Sequence, residues 1–403
     1  MRIVIVSEWF SESMGYSDNC LPKALAALGH EVHLVTTNTQ PYFSASFYEH
    51  TYEPFIGPGV VEPGTKSFDG YLLHRLPYRT LRGRIGHRGL LRLLASLRPE
   101  IVQVTSHTSL GAWEVAIAEP WLRYQMFTAN HVLASVFPPA AARGAHPLWW
   151  KFKIRLFTTL PGRLVSSVTR LCYAATTDAR DVAISYFGVP PEKVVVSPLG
   201  SDTELFGRVA NKSTDEIRQQ VRQELGIKDD VVVFIYTGRF SADKNPRLLA
   251  QAVARLNECG VNVKGLFIGA GEQQDDIANT PCCSILPFVP FKELPRYYWA
   301  AEVGVWPRQE SMSMIDAAAA SLPIVVSDTV KATERFEGTG LTYKLDDLDD
   351  LVGVLRILAR DANLRRALGE AGAERVRERH SWFLIAKARA NDYEAAVATR
   401  SRT

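Results

Sequence analysis

The chain has 403 residues, 46% hydrophobic and 22% charged, as suits a soluble globular protein of two or three domains. Its 46 Lys and Arg against 43 Asp and Glu leave a net charge of +3, too small to argue for a nucleic-acid partner. The charge is uneven: residues 1–200 carry 19 basic and 14 acidic side chains, residues 201–403 carry 27 and 29.

Residues 3–7 form a short apolar run suited to a strand covered on both faces. A helix over 19–28 ends at Gly29, a good C-terminal cap, and 31–36 reads as a second strand, completing a βαβ unit. Strands continue at 71–74, 101–104, 125–128, 174–177 and 194–198. The pattern then restarts with strands at 231–237, 263–268, 284–287, 303–306 and 324–326, and helices at 246–258 and 293–301. Between the halves, residues 207–216 are polar, and 381–398 read as an amphipathic helix that must pack on something. Both halves are expected to be α/β with parallel sheets. The five cysteines, Cys20, Cys172, Cys259, Cys282 and Cys283, are odd in number and fit no zinc spacing, so reduced thiols in a cytoplasmic protein are expected. No signal peptide pattern precedes the first strand, and no run approaches the ~18 apolar residues of a membrane span.

A dinucleotide-binding fold wants G-x-G-x-x-G directly after its first strand. Here the first strand is followed by one late glycine, Gly15, and the strand at 263–268 by Gly269-Ala270-Gly271 with no third glycine. A lone G-x-G is more often a strand-to-helix turn, so hydride transfer loses support. A diphosphate fits better. Gly238-Arg239 and Lys244 sit where the strand at 231–237 gives way to a helix, the edge at which open α/β sheets bind ligands. Arg239 can fork to a phosphate and Lys244 adds a point charge, unless the loop is only a solvated basic turn neutralised by Asp243. Further on, Arg308, Gln309, Glu310 and Ser311 precede a small-residue helix that opens with Asp316. Free amides and hydroxyls at a helix start suit an anion, and a carboxylate there suits a ligand hydroxyl. Phosphate and polyol together suggest a sugar nucleotide.

These pieces, in this order, resemble the retaining glycosyltransferases of family 4 over nearly the whole chain. The resemblance rests on the Gly15 loop, Leu28-Gly29-His30-Glu31-Val32, Tyr186 to Val194, Pro198-Leu199-Gly200-Ser201-Asp202, Gly238-Arg239 with Lys244, Gly269-Ala270-Gly271-Glu272, and Asp316 to Pro323. It implies a GT-B fold, two Rossmann-like doubly wound domains facing across a cleft. The first, over residues 1–203, would bind the acceptor and the second, over 204–380, the nucleotide sugar; the helix at 381–403 would cross back to the first. It also implies that Arg239 and Lys244 hold the diphosphate, that Asp316 binds ribose, and that the base lies near Phe288 and Val289. Gly15 would approach the diphosphate, and His131 would reach the donor sugar and the reaction centre. The bland reading of His131 is a strand-end histidine bonded to backbone. No metal or other cofactor is expected, since the two cations offset the charge of the leaving nucleotide.

One departure matters. The family pairs two acids across seven residues, and counting back from Asp316 reaches Arg308, with Glu310 two positions later. Either Glu310 takes the sugar-hydroxyl role or Arg308 changes donor selection; Arg308 pairing with Glu310 as a surface salt bridge is the plain alternative. Ser311 and Ser313, flanking Met312, stand where glycines are usual and add hydroxyls to the donor site.

Two stretches lack acids: 70–99, with seven arginines (Arg75, Arg79, Arg82, Arg84, Arg88, Arg92 and Arg98), and 120–177, with seven basic residues. The second contains Trp149-Trp150-Lys151-Phe152-Lys153, which suits an anionic membrane surface if its aromatics face out, and a solvated helix if they are core. The expectation is a cytoplasmic enzyme, peripheral at the inner face of the membrane, that moves a sugar to a glycan or lipid-linked acceptor in cell-surface polysaccharide or glycolipid synthesis. The alternatives are a GT-B nucleotide-sugar-binding protein with little transfer activity and a sugar-nucleotide epimerase of the same fold.

Overall fold

The computed structural model describes residues 1–81, 83–134, 137, 147–207, 212–308, 310–330, 333 and 336–400, with 147, 148, 212 and 213 by backbone only. Arg82, Gln309 and residues 208–211 of the polar stretch lie outside the described residues. The chain divides into two compact units. The first comprises Met1–Phe43, Pro58–Leu199 and Phe383–Thr403, the second Ser44–Gly57 and Gly200–Trp382.

Among the described residues the first unit has ten strands: β1 (Arg2–Val6), β2 (Glu31–Thr37), β3 (Gly64–Phe68), β4 (Tyr71–Leu76), β5 (Tyr78–Leu81), β6 (Arg84–His87), β7 (Ile101–Val104), β8 (Gln125–Asn130), β9 (Thr169–Ala174) and β10 (Val194–Val196). Eight of them form one sheet in the order β10-β9-β8-β7-β1-β2-β4-β3, and β5 and β6 pair separately. Only β3 runs antiparallel in the large sheet. Ile3 to Val6 are buried on both faces, which is why β1 reads as a continuous apolar run between β2 and β7. The strand expected at 174–177 lies earlier, at β9. Thr176 instead caps the helix Thr177–Tyr186, its hydroxyl accepting from the Ala179 amide at 3.2 Å. A β-branched pair had the look of a strand while serving as a helix start.

The helix Trp382–Arg400 packs on this first sheet through a buried arginine. Arg389 is 3% exposed, donates to Ser197 Oγ at 3.2 Å and Gln103 Oε1 at 3.3 Å, and lies 4.4 Å from the Tyr173 ring. Tyr393 sits edge-on to Phe127 with centroids 4.7 Å apart, and Tyr173 donates to Asp392 at 2.9 Å.

Among its described residues the second unit carries six parallel strands, β11 (Val232–Thr237), β12 (Val263–Ile268), β13 (Cys283–Leu286), β14 (Val303–Trp306), β15 (Ile324–Ser327) and β16 (Gly340–Tyr343). Their order is β13-β12-β11-β14-β15-β16. The strand order reverses between β11 and β14, and such a reversal opens a crevice at the carboxyl ends of the two strands. Residues 238–245 and 307–313 leave the sheet at that point.

Candidate active site

The two chain segments that leave β11 and β12 clasp each other. Gly238 N donates to Ile268 O at 3.0 Å, Phe240 N to Ala270 O at 2.9 Å, and Gln273 N to Phe240 O at 2.9 Å. Gly269, at φ 153°, has no room for a side chain: a Cβ there would lie 1.9 Å from Gly238 O. The Gly269-Ala270-Gly271 run therefore serves the close approach of two loops and fixes the backbone that carries Arg239.

Arg239 donates to Asp243 Oδ2 at 3.3 Å, and its guanidinium lies 5.0 Å from the centre of the Phe47 ring. Lys244 reaches across to the segment after β14, its Nζ donating to Glu310 O at 3.0 Å. Arg308 leaves the end of β14 and points back. Its Nη1 donates to Ala242 O at 3.0 Å and its Nη2 to Asp346 Oδ2 at 2.6 Å, while Asn245 donates to the other oxygen of Asp346 at 3.2 Å. The salt bridge considered between Arg308 and Glu310 is thus replaced by one to Asp346, which the turn after β16 presents within reach of the longer arm. Three cations, Arg239, Lys244 and Arg308, are held on the loops that leave β11 and β14.

The helix Ser313–Ala319 begins beyond this cluster. The Ser311 hydroxyl donates to Ser313 Oγ at 3.3 Å and accepts from the Ser313 amide at 3.3 Å; Ser311, Met312 and Ser313 are half-buried. One turn in, Asp316 is 7% exposed. Burial pushes its carboxyl up to about 7, Asp202 adds to the rise, and the Ser201 hydroxyl opposes it. Thr237 Oγ1 and the Tyr298 hydroxyl lie 2.7 Å apart, and burial, with the nearby Asp316 charge adding to it, raises the Tyr298 phenol well above its ordinary value. Trp306 Nε1 donates to Thr237 O at 3.2 Å, so both strand ends flanking the crevice are cross-linked.

Phe288 and Val289 follow β13 and are half-buried. Phe288 is stacked on Tyr52, with centroids 5.4 Å apart and planes at 16°, and on Phe55 at 5.5 Å and 28°. No local pattern announces that residues 44–57 join this unit. Tyr52 and Phe55 lie some 230 residues from their partner, and aromatic residues in a loop carry no address. Ser201 and Asp202, quoted for the resemblance alone, also turn out to border Asp316.

Gly15 and His131 lie in the first unit. Gly15 follows β1 in the segment leading to the helix Ser17–Ala27, with its carbonyl 3.8 Å from Cys20 Sγ. His131 directly follows β8 and is half-buried. Asn130 shapes its turn, donating to Ala179 O at 2.7 Å and accepting from the Val132 amide at 3.1 Å. Among the described residues no group of three or more His, Cys, Asp or Glu is arranged to hold a metal ion.

Comparison with known proteins matches residues 21–205 to the family described as Glycosyltransferase Family 4 and residues 231–361 to that described as Glycosyl transferases group 1. The D-inositol 3-phosphate glycosyltransferase of Geodermatophilus obscurus is 25% identical over 78% of this chain and 73% of its own length. The alpha-monoglucosyldiacylglycerol synthase of Acholeplasma laidlawii is 23% identical over 76% of this chain and 74% of its own. Among solved structures, Anabaena HepE in complex with UDP superposes with a TM-score of 0.68 over 98% of this chain and all of that one, at 15% identity, a likeness of fold.

Proposed function

The chain belongs to the family 4 glycosyltransferases, of GT-B fold, and on that premise we propose that it moves a sugar with retention from a nucleotide-sugar donor to a hydroxyl acceptor. The observation that carries the donor reading is the arrangement at the reversal point of the second sheet. Arg239 and Lys244 come from the β11 exit, and the helix bearing Asp316 follows the β14 exit. A diphosphate neutralised by the two cations leaves more readily, because their attraction grows as charge develops on the departing oxygen. Asp316, ionised, accepts from ribose hydroxyls. The acceptor hydroxyl bonds to the anomeric carbon on the face from which the diphosphate departs. The carbon–oxygen bond to the diphosphate breaks, and the hydroxyl proton passes to the departing oxygen. We propose that the reaction needs no resident metal, that Glu310 or Arg308 contacts the donor sugar, and that His131 binds a sugar hydroxyl.

A lipid-linked acceptor at an anionic membrane surface is the acceptor reading we favour. From 149 to 164 the exposed apolar side chains Trp149, Phe152, Leu156, Leu160 and Leu164 recur at steps of three and four residues, with Trp149 67% and Phe152 56% exposed. Exposed Lys151, Lys153, Arg155 and Arg163 lie among them. The alternative that these aromatics are core holds only for Trp150, which packs against Phe137 and Tyr186. Aromatics at headgroup depth beside cations suit anionic lipid, and one relative is named as a synthase of a glycolipid, monoglucosyldiacylglycerol. Among the described residues no helix is long and apolar enough to cross a membrane.

The test is a panel of nucleotide sugars with released nucleoside diphosphate as the readout, with and without acceptor and with and without EDTA. Turnover that needs acceptor and survives EDTA supports the proposal. Saturable donor binding without turnover under any condition supports the alternative of a nucleotide-sugar-binding protein with little transfer activity.

A further inference from the structure

We infer that residues 44–57 form an aromatic strap belonging to the donor site, in which Phe47 positions the Arg239 guanidinium for a nucleoside diphosphate. The inference rests on the donor reading above. The strap lies far from residues 200–382 in sequence, yet it packs within the same unit as they do. It folds as two single-turn helices, Tyr48–Thr51 and Glu53–Ile56, with Tyr48, Thr51, Ile56 and the intervening Tyr52 buried. It is closed by its own bond from the Tyr48 hydroxyl to Gly57 O at 2.8 Å. It therefore holds a set shape, and it meets the rest of the unit at two points already singled out for the donor. Phe47 stands 5.0 Å from the Arg239 guanidinium, and Tyr52 and Phe55 stack on Phe288.

The chemistry of the first contact is specific. A guanidinium lying against an aromatic face keeps its in-plane N–H groups available for a forked contact to phosphate. Asp243, four residues on, takes one of those N–H groups and holds the same plane from its edge. Set over the Phe47 ring and bonded to Asp243, Arg239 is ordered before the anion arrives, and less side-chain entropy is lost on binding. The second contact locks Phe288. Tyr52 and Phe55 stack on Phe288 with centroids 5.4 and 5.5 Å away, so less of that ring's face is left open to a base. Phe47 is a positioning residue, because it acts through Arg239.

The experiment titrates the full chain with UDP, ADP and GDP and with the matching monophosphates, by calorimetry, for the wild type, Phe47→Leu, Arg239→Ala and the double variant. Phe47 is 36% exposed, so its replacement leaves the core intact. The wild type should bind at least one diphosphate; binding none would overturn the donor reading itself, whatever Phe47 does. Given binding, Phe47→Leu should weaken the diphosphate by about two- to five-fold, the range of an exposed cation–π contact, and leave the monophosphate nearly unchanged. In the Arg239→Ala background the same substitution should change nothing. Equal losses for both nucleotides, a loss that persists without Arg239, or tighter diphosphate binding would each overturn the positioning role, the last by showing that the strap obstructs the site.

Discussion

Asp316→Asn should stabilise the protein and damage its donor binding together. Burial raises the carboxyl from its ordinary 3.8 to about 7, so the folded state holds a proton that the unfolded state releases. For such a group, stability is fully present below the unfolded value and is lost as pH rises through the folded one. The window therefore runs from about pH 4 to about pH 7. A gap of this size corresponds to about 4 kcal/mol, at 1.36 kcal/mol for each pH unit. Asparagine keeps the shape and carries no charge, so it should recover little near pH 4 and up to about 4 kcal/mol at pH 8. Urea denaturation of both proteins at pH 4.5, 6 and 8 measures this directly. The functional half has the opposite sign: an ionised carboxylate accepts ribose hydroxyls best, so wild-type donor affinity should rise as pH passes 7, and the variant should lose both the affinity and its pH dependence. If the stability difference is flat across pH, or if the variant is less stable at pH 8, the buried-carboxylate reasoning is refuted.

Lys244→Ala should reduce kcat/KM by about 10²- to 10³-fold, the cost of one donor aimed at developing charge, with an unchanged urea midpoint; wild-type-like kcat/KM would remove Lys244 from the diphosphate site. Arg308→Glu breaks the contacts to Ala242 and Asp346 and sets a like charge beside Asp346; if Arg308 decides the donor, the ranking of sugars in kcat/KM should change by about ten-fold or more while nucleoside diphosphate affinity moves little, and an unchanged ranking leaves Arg308 with a structural role. Arg389→Ala should lower stability by about 1–3 kcal/mol, because Ser197 loses a buried donor and Gln103 loses one of two, and denaturation midpoints within error of wild type would contradict that packing account. Vesicle flotation should recover more protein with anionic lipid than with neutral lipid, and Trp149→Ala should reduce the difference; equal recovery on both lipids counts against the lipid-linked acceptor.

The fold was legible where physical pattern and element coincide. The runs at β1, β11 and β12 are apolar because both faces are covered, and the helix Pro246–Glu258 announces itself with Pro at its start. Errors arose where one residue type serves two ends, as with Thr176, which caps a helix in place of extending a strand. β3, whose residues are mostly exposed, offered no apolar pattern to read, and neither did the hairpin of β5 and β6. In the candidate site, Arg239, Lys244 and Asp316 could be proposed because chemistry and strand exit coincide in a few consecutive residues. Asp346 and the strap were not. Arg308 finds Asp346 only once β16 is paired beside β15, and Phe47 finds Arg239 only once a distant loop has packed. Contacts of that kind are made by topology, and no local pattern encodes them.

The most direct test of the central claim is a crystal soaked with the nucleotide sugar that the donor panel selects. The diphosphate should lie within hydrogen-bond distance of the Arg239 and Lys244 side chains, with a ribose hydroxyl on the Asp316 carboxylate. An ordered nucleotide whose phosphates lie away from both cations, or whose ribose lies away from Asp316, would contradict it.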